Sequence, residues 1–163
     1  MQPLTWVARR LTVVQQLTHD RATELANQHY SVSPKADGLR VLILCDWETT
    51  CLFKIPVAPT PDEATPLRDS CRIGGFLLDA EEVKLSSGRV AYLAFDVVAI
   101  APITLMHFGF TVPSQWGFFG WQMLQNEHLP KPLLERQQLL EKIVAACNAP
   151  NLKVKPIWGA DQK

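Results

Sequence analysis

One lysine in this sequence stands where it could act as a nucleophile. Lys35 opens the run Lys35-Ala-Asp-Gly-Leu-Arg40, which follows a proline and leads into an apolar, β-rich segment. A lysine is protonated in water and attacks poorly, but burial or a neighbouring cation lowers its pKa and activates it. Gly38 lets backbone approach closely, Arg40 offers a planar donor fork for ribose or phosphate oxygens, and Asp37 shapes the turn or polarises a polar partner. The run thus suits attack on the α-phosphorus of a nucleoside triphosphate.

A pair of acids follows at strand spacing. Asp79 and Glu81 in the run Leu77-Leu-Asp-Ala-Glu81 alternate onto one face of a predicted strand. Two carboxylates side by side repel each other unless a cation or a ribose hydroxyl lies between them. Hard oxygen ligands of this kind suit Mg²⁺, which joins one or two carboxylates to substrate phosphates. The pair is therefore a candidate metal or ribose site.

A third run, Tyr92-Leu-Ala-Phe-Asp96, combines an aromatic side chain with an acid in an apolar strand. Phe95 beside a nucleotide pocket would stack on a base, and Asp96 within a buried strand needs a partner. Strand alternation assigns these residues to two faces: Tyr92, Ala94 and Asp96 on one, Leu93, Phe95 and Val97 on the other.

Each run also has a purely structural interpretation. The first fits a solvated turn with a charged lysine, because Asp-Gly is a strong turn dipeptide. The second fits an exposed acidic edge, since Glu82 extends it to Asp-Ala-Glu-Glu. Phe95 fits an ordinary core position. Each run taken alone leaves both interpretations open.

Hydrophobic periodicity predicts the elements that must position these runs. We expect helices over 11–28 and 133–147, a short helix over 116–125, and a proline-rich surface loop over 56–69. The predicted strands are 39–45 and 50–55, which form a hairpin, then 75–85, 89–100 and 152–158. Helix, mostly antiparallel strands and helix in that order indicate an α+β fold.

Length and charge narrow the classes of function. The chain has 163 residues, enough for one domain, and its 16 basic residues equal its 16 acidic ones. A net charge of zero argues against nonspecific electrostatic binding along a long nucleic acid, but it permits recognition of one nucleotide or one RNA end. The longest apolar stretch, 90–105, is interrupted by Asp96 and Pro102, so we expect no membrane span and an intracellular, nuclear or cytoplasmic protein.

In order and spacing, the runs resemble the covalent nucleotidyltransferase superfamily, and within it the mRNA capping enzymes (RNA guanylyltransferases). The first family motif, K-x-D-G-x-R, is matched from Lys35 to Arg40. The D-G-E motif is matched by Asp79-Ala-Glu81, with alanine for glycine, and the aromatic-x-x-F-D motif from Tyr92 to Asp96. Leu133-Leu-Glu-Arg136 resembles the family's L-x-x-R helix, and Lys153-Val-Lys-Pro156 resembles its K-x-K-P strand.

The resemblance implies a reaction and a set of roles. Lys35 would take GMP from GTP as a phosphoramidate and pass it to a 5′-diphosphate RNA end. Arg40 would contact ribose, Glu81 would bind ribose or the metal region, and Phe95 would stack on guanine. The further residues implied are Asp37 and Gly38 for the nucleotide, and Asp79 with Glu81 for Mg²⁺ or Mn²⁺.

Three family features are not found in the sequence: an E-G-hydrophobic strand, a later lysine-rich strand and a C-terminal OB-type lid domain. We therefore expect residues 1–163 to be a single partial nucleotidyltransferase domain of the ATP-grasp-like ligase and capping-enzyme type, incomplete at its C-terminus. It would be an enzyme once completed by the remaining half or by other capping subunits.

Three alternatives stay open beside capping. They are a nucleotide- or cap-binding module without transfer, an ATP-dependent polynucleotide ligase, and a structural subunit with a decayed site. Ligases of the superfamily usually carry an acid two positions before the lysine. Ser33 occupies that position here and favours capping.

Overall fold

The structure is a computed structural model that describes residues 33–34, 36–47, 50–54, 62–63, 73–112, 114, 122–124 and 133–156. The chain divides into two compact units, one of Met1–Lys35 with Pro156–Lys163 and one of Ala36–Lys155. Nearly all described residues belong to the second unit, which contains the sheet and both described helices.

Seven strands within the described residues form one sheet. They are β1 (Leu39–Cys45), β2 (Thr50–Lys54), β3 (Asp62–Glu63), β4 (Phe76–Lys84), β5 (Val90–Ile100), β6 (Gln122–Met123) and β7 (Leu152–Val154). Their spatial order is β3-β2-β1-β4-β5-β6, and β7 also pairs with β5. The β5–β7 pairing is parallel and the others are antiparallel. The α+β class and the mostly antiparallel sheet are confirmed.

Two described helices accompany the sheet. Helix α1 (Pro102–His107) was not expected, because Pro102 interrupts an apolar stretch. Proline is tolerated at the first position of a helix, where its missing N–H would have no partner, so the same residue starts a helix instead. Helix α2 (Leu133–Cys147) has the predicted bounds.

One sheet face and one side of α2 form the hydrophobic core. Leu139, Leu140, Ile143 and Cys147 of α2 are at most 1% exposed. They pack with alternate residues of the central strands, namely Val41, Ile43, Cys45, Phe76, Leu78, Ala80, Tyr92 and Ala94. The apolar side chains that recur every 3.6 residues on the helix and every two residues on the strands thus pack together in one apolar layer.

Strand β5 departs from simple alternation. Its register with β4 shifts at two points, which leaves Phe95 and Val98 without an opposite residue. Val97 therefore joins Tyr92 and Ala94 in the core, whereas alternation predicted Val97 on the other face. A bulge of this kind re-aims the side chains that follow it.

Two other local predictions differ from the structure. The predicted loop over 56–69 contains β3, and the predicted short helix over 116–125 contains β6. Both strands are two residues long and arise from pairing with a neighbouring strand, which local propensity does not register. The helix predicted over 11–28 lies outside the described residues. Neither described helix has the length and apolar character that crossing a bilayer requires.

Candidate functional site

The candidate site lies on the sheet face opposite the core. Along β1 and β4 alternate residues enter the core, so the residues between them, including Arg40, Asp79 and Glu81, turn to the other face. Arg40 is directly opposite Glu81 in the antiparallel register, and Asp79 lies one pleat further along β4. The two acids predicted to share a face therefore both adjoin one arginine.

Arg40 and Asp79 form a two-point ion pair. Arg40 Nε donates to Asp79 Oδ1 at 2.9 Å, and a second guanidinium nitrogen donates to Oδ2. Asp79 is 1% exposed, and this burial raises its pKa above the usual range against the opposing effect of Arg40. The hydrogen bond to Asp79 in turn raises the pKa of Arg40. The pair fixes the guanidinium, whose side chain keeps 23% exposure.

Glu81 is held by a lysine from a distant part of the chain. Lys155 Nζ donates to Glu81 Oε2 at 3.0 Å, and the two residues are separated by 74 positions. The Lys155 side chain is 8% exposed and that of Glu81 21% exposed. The pair therefore has a buried cation and a carboxylate that reaches solvent.

The ring of Phe95 is close to both cations. Arg40 Cζ is 5.9 Å from the centroid of the phenylalanine ring, and Lys155 Nζ is 5.7 Å from it. Both distances fall within the range in which a cation is attracted to a ring face. Phe95 follows Ala94, which lies in the core, so alternation directs its ring to the face that carries the charged residues.

The segment just before β1, which carries the first motif, packs tightly on β4. A Cβ on Gly38 would lie 2.7 Å from the backbone oxygen of Glu82 and 3.1 Å from a methyl carbon of Val83. Glycine is therefore required by contact with the neighbouring strand. Asp37 is exposed. Lys35 lies outside the described residues, so its role as the nucleophile stays a prediction.

Asp96, expected to need a partner, has one on α2. Arg136 Nε donates to Asp96 Oδ1 at 2.8 Å and a second nitrogen donates to Oδ2 at 3.1 Å, while the Val97 amide donates to Oδ1 at 2.8 Å. In the family resemblance, Arg136 is part of a helix motif and has no assigned role. The geometry gives it a structural task, which is to tie α2 to the bulged segment of β5.

The two acids assigned to a metal are engaged with cations in this structure. Both oxygens of Asp79 accept from Arg40, and one oxygen of Glu81 accepts from Lys155. No group of three or more His, Cys, Asp or Glu among the described residues is arranged to hold a metal ion. The role of Asp79 and Glu81 toward Mg²⁺ or Mn²⁺ stays a prediction.

Sequence reasoning did not place Lys155 in the site. The available signal was the second lysine of the Lys153-Val-Lys-Pro156 run. That run resembles a family strand, but the resemblance assigned no role to its lysines. Lys155 is the first residue after β7, and its N–H donates to the Ala94 carbonyl at 2.7 Å. The parallel β5–β7 pairing brings it beside Phe95, a placement that spacing in sequence does not reveal.

Comparison with known proteins supports the fold. No model of a known protein family matches the sequence, and no curated protein sequence matches it significantly. Among solved structures, the chain is similar to a mycobacterial DNA ligase D complexed with ATP and MES, with a TM-score of 0.51 and 22% sequence identity. The match covers 81% of this chain and 41% of that one, so this chain spans less than half of the ligase structure. The mixed α+β sheet described above is thus a fold also found in that ligase.

Proposed function

We propose that this chain binds a nucleoside triphosphate and becomes nucleotidylated on Lys35, as part of a covalent nucleotidyltransferase. One observation carries the proposal. Arg40, Glu81 and Phe95, which the resemblance assigns to one nucleotide, come from three neighbouring strands. The Arg40 and Lys155 cations lie 5.9 and 5.7 Å from the centroid of the Phe95 ring, and Lys155 also donates to Glu81.

The proposed reaction has two displacements at the α-phosphorus. In the first, the uncharged Lys35 amine attacks, a phosphorus–nitrogen bond forms, and the bond to the bridging oxygen breaks with loss of pyrophosphate and one proton. In the second, a terminal phosphate oxygen of the acceptor attacks, the phosphorus–nitrogen bond breaks, and the amine regains a proton. Phosphoryl chemistry of this type depends on positioning and charge stabilisation. A divalent cation, Mg²⁺ or Mn²⁺, enters as part of the triphosphate substrate.

Within this reaction class, the motif order and Ser33 favour GTP as the nucleotide and a 5′-diphosphate RNA end as the acceptor, as in mRNA capping. The likeness to a DNA ligase solved with ATP favours a second candidate, an ATP-dependent polynucleotide ligase. A binding module that retains the pocket without transfer is the third. The three candidates differ in which nucleotide binds and in whether a covalent adduct forms.

The test is covalent labelling of the full gene product. We expect α-phosphate-labelled GTP, with Mg²⁺ or Mn²⁺, to leave an acid-labile label on Lys35, and Lys35→Ala to remove it. Label from ATP but not GTP would indicate the ligase. Reversible binding without label would indicate the binding module. Label that survives Lys35→Ala, or a protein that neither binds nor is labelled, would refute the proposal.

A further inference from the structure

Lys155 is buried although its side chain is charged. Only 7% of the residue is exposed, and its ammonium meets the carboxylate of Glu81. Burying an ammonium ion is unfavourable unless an anion and good hydrogen-bond geometry compensate. The buried ammonium of Lys155 is therefore stabilised by its contact with Glu81, a residue that the resemblance assigns to the nucleotide.

The backbone fixes where this lysine can reach. Its N–H donates to the carbonyl of Ala94, so Lys155 is tied to the residue that precedes Phe95. Lys153, two positions earlier on β7, is exposed. The two lysines of one short run thus have different environments, and only the second enters the site.

Glu81 gains a fixed orientation from this contact. A glutamate side chain has three rotatable bonds, and ordering it when a ligand binds costs free energy that a preorganised side chain does not lose. Lys155 occupies Oε2, which restrains the carboxylate and directs Oε1 elsewhere. The same ammonium lies 5.7 Å from the ring centroid of Phe95, so one cation restrains both side chains.

We propose that Lys155 is a positioning residue of the nucleotide site and that it sets the preference for ribose over deoxyribose. The inference rests on the proposed function, in which Glu81 accepts a hydrogen bond from a ribose hydroxyl. With Lys155 in place, that carboxylate is oriented and available through its second oxygen. Without it, Glu81 loses its fixed orientation, and the hydroxyl loses a preorganised acceptor.

The test compares ribonucleotides with deoxy analogues in equilibrium binding. GTP and ATP are each measured against their 2′-deoxy and 3′-deoxy forms on wild-type protein, Lys155→Met, Lys155→Arg and the matched control Lys153→Met. We expect wild type to prefer the ribose form over one deoxy form by about tenfold or more. Lys155→Met should bring that ratio close to one, Lys155→Arg should restore part of it, and Lys153→Met should leave it unchanged.

Two outcomes separate this inference from the proposed function. If wild type binds GTP or ATP and Lys155→Met weakens all analogues equally, the positioning role is refuted while nucleotide binding stands. If wild type binds neither nucleotide, both fail. Should Lys155→Met not fold, Lys155→Arg and Glu81→Gln decide: Glu81→Gln must abolish the ribose preference, and a preference that persists in it overturns the inference.

Discussion

The guanidinium of Arg40 on β1 holds both carboxylate oxygens of Asp79 on β4, across 39 positions of sequence. Asp79 is 1% exposed, so its charge depends on this contact far more than the partly exposed guanidinium does. Breaking a buried pair by removing one partner is costly because it leaves an uncompensated charge, even where the intact pair adds little over apolar residues. The motif arginine therefore has a structural task beside any contact with a ligand.

Arg40→Met should lower the free energy of unfolding by about 3–5 kcal/mol, because it leaves the Asp79 carboxylate buried without its arginine. Urea unfolding followed by tryptophan fluorescence measures the loss. The double variant Arg40→Met with Asp79→Leu should regain part of the lost stability, since both charges are gone. Arg89→Met, at an exposed position, is the matched control and should change stability by less than about 0.5 kcal/mol. A single Arg40→Met variant as stable as this control would contradict the argument.

Gly38→Ala should disturb the first motif through contact with β4. The added Cβ would meet the backbone oxygen of Glu82 at 2.7 Å, and backbone cannot move aside as a flexible side chain can. We expect a loss of about 1–3 kcal/mol in stability, with weaker nucleotide binding because the segment before Arg40 shifts. Gly88→Ala is a useful comparison, since its Cβ meets nothing within 4 Å and only its positive φ of 79° resists the change. Wild-type nucleotide affinity in Gly38→Ala would show that the segment before Arg40 tolerates the displacement.

Much of the fold was predictable because its signals are local. Alternation gave the hairpin of β1 with β2 and the long strands β4 and β5, and helical periodicity gave both bounds of α2. Helix α1 and strands β3 and β6 were missed, since each depends on tertiary context. The bulges of β5 were missed for the same reason: an extra residue on one strand is defined only relative to its partner, and it moved Val97 into the core.

The candidate site was predictable in part. The runs containing Arg40, Glu81 and Phe95 were singled out from residue types, order and family resemblance, and the sheet brings those residues together. The lysine that completes the group, Lys155, is 74 positions from Glu81. No short-range pattern encodes a contact at that separation. It arises only once the parallel β5–β7 pairing is known, which periodicity does not supply.

Arg136→Met should destabilise the protein by about 2–4 kcal/mol, because Asp96 would lose both hydrogen bonds from the Arg136 guanidinium. Arg136→Lys should recover little of that loss, since an ammonium ion does not reproduce two parallel hydrogen bonds to one carboxylate. Thermal and urea unfolding measure both variants. Because Asp96 directly follows Phe95 on β5, nucleotide affinity should fall in the folded Arg136→Met protein as well. Unchanged stability in Arg136→Met would indicate that the pair contributes nothing net.

Tyr92 should titrate above the ordinary range of tyrosine. Burial raises its pKa first, and the nearby charge of Glu82, with which its hydroxyl hydrogen-bonds, raises it further. The sequence has two tyrosines, so a Tyr30→Phe background isolates Tyr92 for absorbance titration of the phenolate. We expect the phenolate to form above pH ~10, and Glu82→Gln to lower the midpoint while the exposed control Glu141→Gln leaves it unchanged. Because the folded state retains the phenolic proton more firmly than the unfolded state, the contribution of Tyr92 to stability is complete below pH ~10 and is lost as the pH rises through the folded pKa. A midpoint at or below that of an exposed tyrosine would mean that the Tyr92 hydroxyl meets solvent and that the Glu82 contact does not form.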